Sequence, residues 1–173
     1  MFKRRKNRTA EQDRYRTDEV GRQINEAFDG LRGMVFAIEP GKEGMPAGPG
    51  AWGGLMDMGM GNGAATLVCL RDGTTSLYVS SGGGILGGEG HEAVVHANAA
   101  FLDVLTEHAK ALRPDPTTAL PAPGRVILRA LTHNGPLSFE ADEDDLGNNR
   151  SPLSPAFHAA HAAISELRLI AQG

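Results

Sequence analysis

Two short reversals constrain this chain more than anything else in it. The first joins Ala65-Thr66-Leu67-Val68-Cys69-Leu70-Arg71 to Thr74-Thr75-Ser76-Leu77-Tyr78-Val79-Ser80 through Asp72-Gly73. The second joins Arg125-Val126-Ile127-Leu128-Arg129-Ala130-Leu131 to Leu137-Ser138-Phe139-Glu140 through Asn134-Gly135. Alternating apolar runs interrupted by Asp-Gly or Asn-Gly read as hairpins with type I′ turns, whose positive φ angles match the twist of paired strands. A hairpin makes its strands antiparallel. That removes the parallel βαβ units of the common nucleotide-binding folds.

Helical periodicity fills the space around the hairpins. Val20, Ile24, Ala27, Phe28 and Leu31 recur at helical spacing and predict a helix from about Ala10 to Leu31, with Gly30 and Gly33 as stops. The run Met34 to Ile38 fits a strand or a continuation of that helix. His91 to Leu112 is the best helical stretch, with Val94, Ala97, Phe101, Leu102, Leu105, Ala109 and Leu112 on one arc and Pro114 beyond it. A last helix opens at Ser154, a good N-cap, and Pro155, a good first residue, with Phe157, Ala160, Ile164 and Leu167 as its stripe. Nine glycines between positions 41 and 63, with Pro40, Pro46 and Pro49, read as a loop over 40–63. Within it Trp52 to Met58 could form a further strand. Pro114, Pro116, Pro121 and Pro123 make 113–124 a stiff connector. The expected fold is α+β: an antiparallel sheet of about five strands with three helices, in the order α-β-β-β-α-β-β-α, as one domain over 10–173.

Charge and cysteine content narrow the function classes. Lys3, Arg4, Arg5, Lys6 and Arg8 carry five positive charges, and taking these from a net charge of −4 leaves −9 on the rest. An acidic body argues against nucleic-acid binding, and residues 1–9 read as a solvated, disordered basic tail that could alternatively touch phosphate or an acidic partner. A single cysteine, Cys69, permits no internal disulfide, so nothing points to an oxidising compartment and a cytoplasmic protein is the default expectation. No run is apolar enough to span a membrane.

The sharpest candidate site is the run Ser80 to His91, in which six of the nine residues from Gly82 to Gly90 are glycine. Each ordered glycine costs roughly 0.5–1 kcal/mol relative to alanine. The loop is therefore mobile, or its backbone needs positive φ or a close approach. Gly82, Gly84 and Gly87 match G-x-G-x-x-G, and a helix N-terminus attracts anions. Against this, the preceding strand belongs to a hairpin, no lysine follows, and Glu89 and Glu92 place negative charge where phosphate would sit. The candidate ligand-binding residues are Gly82, Gly83, Gly84, Gly87, His91 and Asn98.

Asn98 lies within the apolar arc of its helix and needs partners there; holding the backbone of a nearby loop is the expected role, contact with a ligand the alternative. His91 and His96 are spaced one residue too far apart for a zincin-like pair, His158 and His161 could share a helix face but no third ligand is evident, and His161, beside an apolar stripe, reads as a hydrogen-bonded core histidine. Asp142 to Asp145 lacks the alternation of a calcium loop and reads as a solvated acidic loop. No cofactor, metal or catalytic group is indicated.

The order of elements resembles that of the type III secretion chaperones, small acidic dimers, and to a lesser degree the roadblock family of GTPase-associated proteins. The resemblance rests on element order and carries no motif, so it implies a fold and no site residues. The functional expectation is a non-catalytic protein-binding, regulatory or chaperone-like module acting as a homodimer. The alternative is a small-ligand or phosphate-binding protein, or an enzyme, using the loop 82–90.

Overall fold

The computed structural model describes the backbone of residues 10–173 and the side chains from residue 19 onward. The basic run 1–9 lies outside the described residues. Helix α1 spans Ala10–Phe36, and strands β1 (Ala51–Met60), β2 (Gly63–Leu70), β3 (Thr75–Val79) and β4 (Gly84–Ile85) follow. Helix α2 covers Glu92–Glu107, and after strand β5 (Arg113–Pro114) come β6 (Arg125–Thr132) and β7 (Gly135–Asp142). Two helices close the chain, α3 (Glu143–Gly147) and α4 (Ser154–Gln172). The result is an α+β protein with four helices and one seven-stranded antiparallel sheet in the order β4-β3-β2-β1-β6-β7-β5.

Within the glycine-rich segment the strand considered for Trp52 to Met58 forms, extends over Ala51–Met60 and lies at the centre of the sheet. β1 lies between β2 and β6, with Leu55 opposite Val68 on one side and Arg129 on the other. A register shift between Ala51 and Gly53 turns both Trp52 and Gly53 toward α1, after which side chains alternate strictly. One face carries Met56, Leu67, Cys69, Leu77, Val126, Leu128 and Ala130 into a core with Phe101, Leu102 and Leu105 of α2 and Ala160, Ile164 and Leu167 of α4. The opposite face carries Trp52, Leu55, Val68, Leu70, Tyr78 and Leu131 against Phe28 and Val35 of α1.

Two glycines of β1 let backbones close on opposite faces. A Cβ at Gly54 would stand 2.7 Å from Leu105, 2.9 Å from Leu102 and 3.0 Å from Phe101, so its absence seats α2 directly on the sheet. A Cβ at Gly59 would overlap the carbonyl oxygen of Ala122. There the proline-rich connector crosses the α1 side as a strap, joined by Gly124 N–H donating to the Gly59 carbonyl (3.1 Å).

Several local expectations need correction. α1 runs through Gly30 and Gly33, which face solvent, because Val35 and Phe36 bury themselves beyond them; packing outweighs about 1 kcal/mol of propensity per glycine. Neither hairpin turn is type I′. Asn149 is the sole non-glycine with positive φ among the described residues, which excludes Asp72 and Asn134 from the required geometry. Instead Leu70 N–H donates to Thr74 O (2.9 Å) around three residues closed by Gly73 at φ 96°, and Thr132 pairs with Gly135 at φ 107°. α2 stops at Glu107 rather than Leu112, with a separate 3₁₀ turn over Ala109–Ala111. Ser154 is not an N-cap: it is the buried first residue of α4, its hydroxyl accepting from Ser151 N–H (3.3 Å). The acidic stretch is not a loop but α3.

Both edges of the sheet are short. β4 pairs with β3 at two positions only, and β5 pairs with β7 through Arg113 and Pro114.

Candidate functional site

The glycine run of the sequence is a folded edge rather than an open cradle. Gly82 and Gly83, at φ 115° and 84°, turn the chain after β3, and Gly84 enters β4 opposite Tyr78. A Cβ at Gly84 would meet the Leu77 carbonyl at 2.5 Å. Gly87, at φ 79°, begins a single 3₁₀ turn whose buried Gly88 sits where a Cβ would lie 2.5 Å from Val94, 3.0 Å from Leu167 and 3.2 Å from Thr75. Positive φ and close packing both occur here, the two demands that glycine meets best.

The six residues singled out in the sequence are not gathered around one space. His91 caps α2 without a side-chain bond and is exposed. Asn98 lies seven residues on, about 10 Å along the axis, and is buried. Its amide donates to Thr74 O (2.9 Å) and Thr75 Oγ1 (2.8 Å). It therefore ties down the β2–β3 turn, a loop-holding role on a different loop from the glycine run.

Sequence reasoning missed a buried ionic cluster under α1. Asp57 of β1 accepts from Arg32 of α1 through Nε (3.2 Å) and a terminal nitrogen (2.9 Å), from Thr66 Oγ1 of β2 (2.5 Å), and from Arg129 of β6. Asp57 and Arg129 are wholly shut from solvent. The strap completes the arrangement. Thr118 O accepts from Arg32 (3.0 Å), Ala119 O accepts from Arg129 (2.7 Å), and the Asp115 carboxylate lies 3.9 Å from Arg129. Phe36 faces both guanidinium groups, at 5.4 and 5.7 Å from its ring centre. Burial lowers the pKa of Arg129 and the Asp57 charge opposes it. Asp115, hydrogen-bonded by Thr117, is held below the ordinary carboxylate range. Two cations and two carboxylates thus balance, and every member but Asp115 is inaccessible. The cluster is built to hold α1, β1, β2, β6 and the strap together; it offers no route for a ligand.

Accessible space lies elsewhere, at the far end of β1 on the α2/α4 face. A cavity of about 250 Å³ is walled by Met58, Met60, Ala65, Leu77, Val79 and Ile164, with Glu143, His161 and Arg168 around it. Met60 is 42% exposed. His161 corrects the expectation of a hydrogen-bonded core histidine: its ring stacks edge-on against Phe157 at 4.4 Å, and its buried Nε2 has no partner. Burial holds its pKa below the ordinary value. His158, one turn earlier, instead pairs through Nε2 with Asn149 Oδ1 (2.9 Å). An apolar floor, flexible methionines and a rim with one carboxylate and one guanidinium suit an apolar side chain flanked by polar groups.

Cys69 is buried beneath α2, where burial raises its thiol pKa and keeps it protonated. Among the described residues no three His, Cys, Asp or Glu side chains converge as metal ligands, and no helix is long and apolar enough to cross a membrane.

No family model, curated protein or solved structure matches this chain.

Proposed function

We propose that this chain is a non-catalytic protein-binding module that holds an apolar side chain of a partner in the methionine-walled cavity between β1–β3 and α4. The observation that supports this reading is the combination of an apolar floor with Glu143 and Arg168 at the rim. Ligand pockets for drug-sized molecules and cofactors start near 300 Å³. At about 250 Å³ the cavity suits one large side chain better. Fully burying a Leu or Phe there contributes about 1.5–3 kcal/mol, a useful anchor for a transient contact. Thioether side chains reshape at low cost, which favours several related partner sequences over one.

A cytoplasmic setting fits the unpaired, buried Cys69. Self-association belongs to the same proposal as a second copy presenting its own apolar residue, for which Met34 of α1, 70% exposed, is available.

Peptide selection on the immobilised full chain tests the reading. Enriched peptides carry a Leu, Met or Phe anchor flanked by charges, and Met60→Glu abolishes their binding while leaving the melting temperature unchanged. Selection without enrichment, or peptides indifferent to Met60→Glu, overturns it. Light scattering across concentration decides between self-association and a foreign partner.

A further inference from the structure

The methionine-walled cavity does not stand alone. Glu143, at its rim, also lines a hollow of about 340 Å³ bounded by Gly124, Asp142, Asp144, Asp145 and Arg150. Asp142 is held by Arg125 and Asp145 by Arg150, each at 2.9 Å. Glu143 and Asp144 form no ion pair among the described residues, and Arg168, at the rim of the apolar cavity, lies outside ion-pair distance of Glu143. An apolar space thus opens on one side toward uncompensated carboxylates. Its complement is an anchor side chain with cations on that side and none toward Arg168.

One segment of the chain has that composition. Phe2, within the residues outside the described fold, is followed directly by Lys3-Arg4-Arg5-Lys6, and no other Leu, Met or Phe is followed by two adjacent cations. Met34, by contrast, stands between Gly33 and Val35 and brings no charge to the rim.

Helix α1 decides which copy supplies the segment. Asn25 and Phe28 lie beside Gly63 and Ser80 at the end of the sheet, so the helix before them runs past it. From Asn25 back to Ala10 it covers about 20 Å. It leaves on the α1 face, whereas the cavity opens at the same end on the α2/α4 face. To fill its own cavity, Phe2 would have to retrace that length and round the sheet, using nearly all of the roughly 27 Å that eight extended residues span. A second copy meets the segment without that constraint.

We propose that Phe2–Lys6 of one copy docks on a second copy, Phe2 filling the methionine-walled cavity and the four cations lying over Glu143 and Asp144, so that two copies exchange arms about a twofold axis. This rests on the reading of that cavity as an anchor site. Charge favours the exchange: without Lys3, Arg4, Arg5, Lys6 and Arg8 each copy carries −9, and the basic arms supply the attraction that such bodies lack.

Complementation on the full chain tests the exchange. By sedimentation velocity the wild type is a dimer, and Phe2→Ser and Met60→Glu each weaken it at least tenfold, the loss expected for an unburied aromatic anchor. Mixed in equal amounts, the two variants regain one intact junction, the arm of Met60→Glu in the cavity of Phe2→Ser, and associate more tightly than either does with itself. Raising salt from about 0.05 M to about 0.5 M weakens the wild-type dimer, and Glu143→Gln with Asp144→Asn removes most of that dependence. A labelled peptide of residues 1–9 gives a second readout should Met60→Glu fail to fold. It binds full-length Phe2→Ser, and the same peptide carrying Phe2→Ser binds at least tenfold more weakly. A wild type that stays monomeric overturns the inference, as does a mixture no tighter than its components or a peptide indifferent to Phe2. Selected foreign peptides that still depend on Met60 would then leave the anchor reading of the cavity standing, and only the arm exchange would fall.

Discussion

The two faces of the sheet solve the same burial problem with different chemistry. Against α2 and α4 the strands present Met56, Leu67, Leu77, Val126 and Leu128, an interface without charge. Against α1 and the strap they present apolar residues surrounding Arg32, Asp57 and Arg129. The first face is tolerant, because apolar shapes can repack with modest loss. The second is demanding, because each guanidinium and carboxylate oxygen needs its partner once water is gone. A helix held by geometry-specific charge pairs can dock in one register only. α1 is thus positioned by Arg32 as well as by Phe28 and Val35.

The largest test of this contrast removes the shared anion. Asp57→Asn leaves two guanidinium groups with only the Asp115 carboxylate, 3.9 Å from Arg129, against them, and urea denaturation should show a loss of about 3–5 kcal/mol. Replacing the buried trio with Arg32→Met, Asp57→Leu and Arg129→Met should recover most of that loss, since the one charge left, on Asp115, is partly open to water. If the triple variant is as unstable as Asp57→Asn, the ionic face owes its stability to those hydrogen bonds and not merely to charge balance.

A smaller effect distinguishes how the two faces accept a new methyl group. Gly54→Ala pushes into the ends of Leu102, Leu105 and Phe101, which can give, and should cost about 1–3 kcal/mol. Gly59→Ala meets the backbone of Ala122, which cannot turn aside, so the strap has to lift. Hydrogen exchange should then speed up at Gly124, whose amide bonds to Gly59, with little change in α2. Equal exchange behaviour in the two variants would mean the faces are equally compliant.

Asn98→Ala removes the side chain that ties α2 to the β2–β3 turn and should cost about 1–2 kcal/mol in thermal denaturation.

The smallest effect is a matter of pH. Because burial depresses His161 in the folded state, the unfolded chain binds that proton more readily. Its contribution is fully present above the unfolded value near 6.5 and is lost as pH falls from there through the folded value. His161→Phe should flatten the acid side of the stability profile, read as melting temperature between pH 7 and 5. An unchanged slope would place that dependence on other groups.

Legibility in the sequence followed the range of each interaction. Both hairpins and the antiparallel sheet were readable because alternation and turn residues are local signals. The turn type was not. Gly73 and Gly135 take the positive φ, but Asp72 and Asn134 do not, and strand register rather than dipeptide identity decides this. β1 showed in the sequence only as a possible strand over Trp52 to Met58, its signal weakened by glycines that are there because α2 and the strap approach it from either side. The ionic cluster drew residues from α1, β1, β2 and β6, a distance in sequence that no spacing rule covers. One local clue existed: Asp57 between Met56 and Met58, and Arg129 within Val126–Leu131, are charges in otherwise apolar runs. The methionine-walled cavity joins segments far apart in the chain, so it left no motif.

The brevity of β4 and β5 carries a consequence for how the molecule behaves at high concentration. An incoming strand would find two residues to pair with at either margin, one of them next to Gly84 and the other ending in Pro114, which has no amide hydrogen to offer. Past β5 the open side of β7 continues into Glu140 and Asp142, both of which pair with Arg125 of β6. Edge-to-edge pairing of neighbouring molecules is thereby disfavoured where β4 and β5 stand.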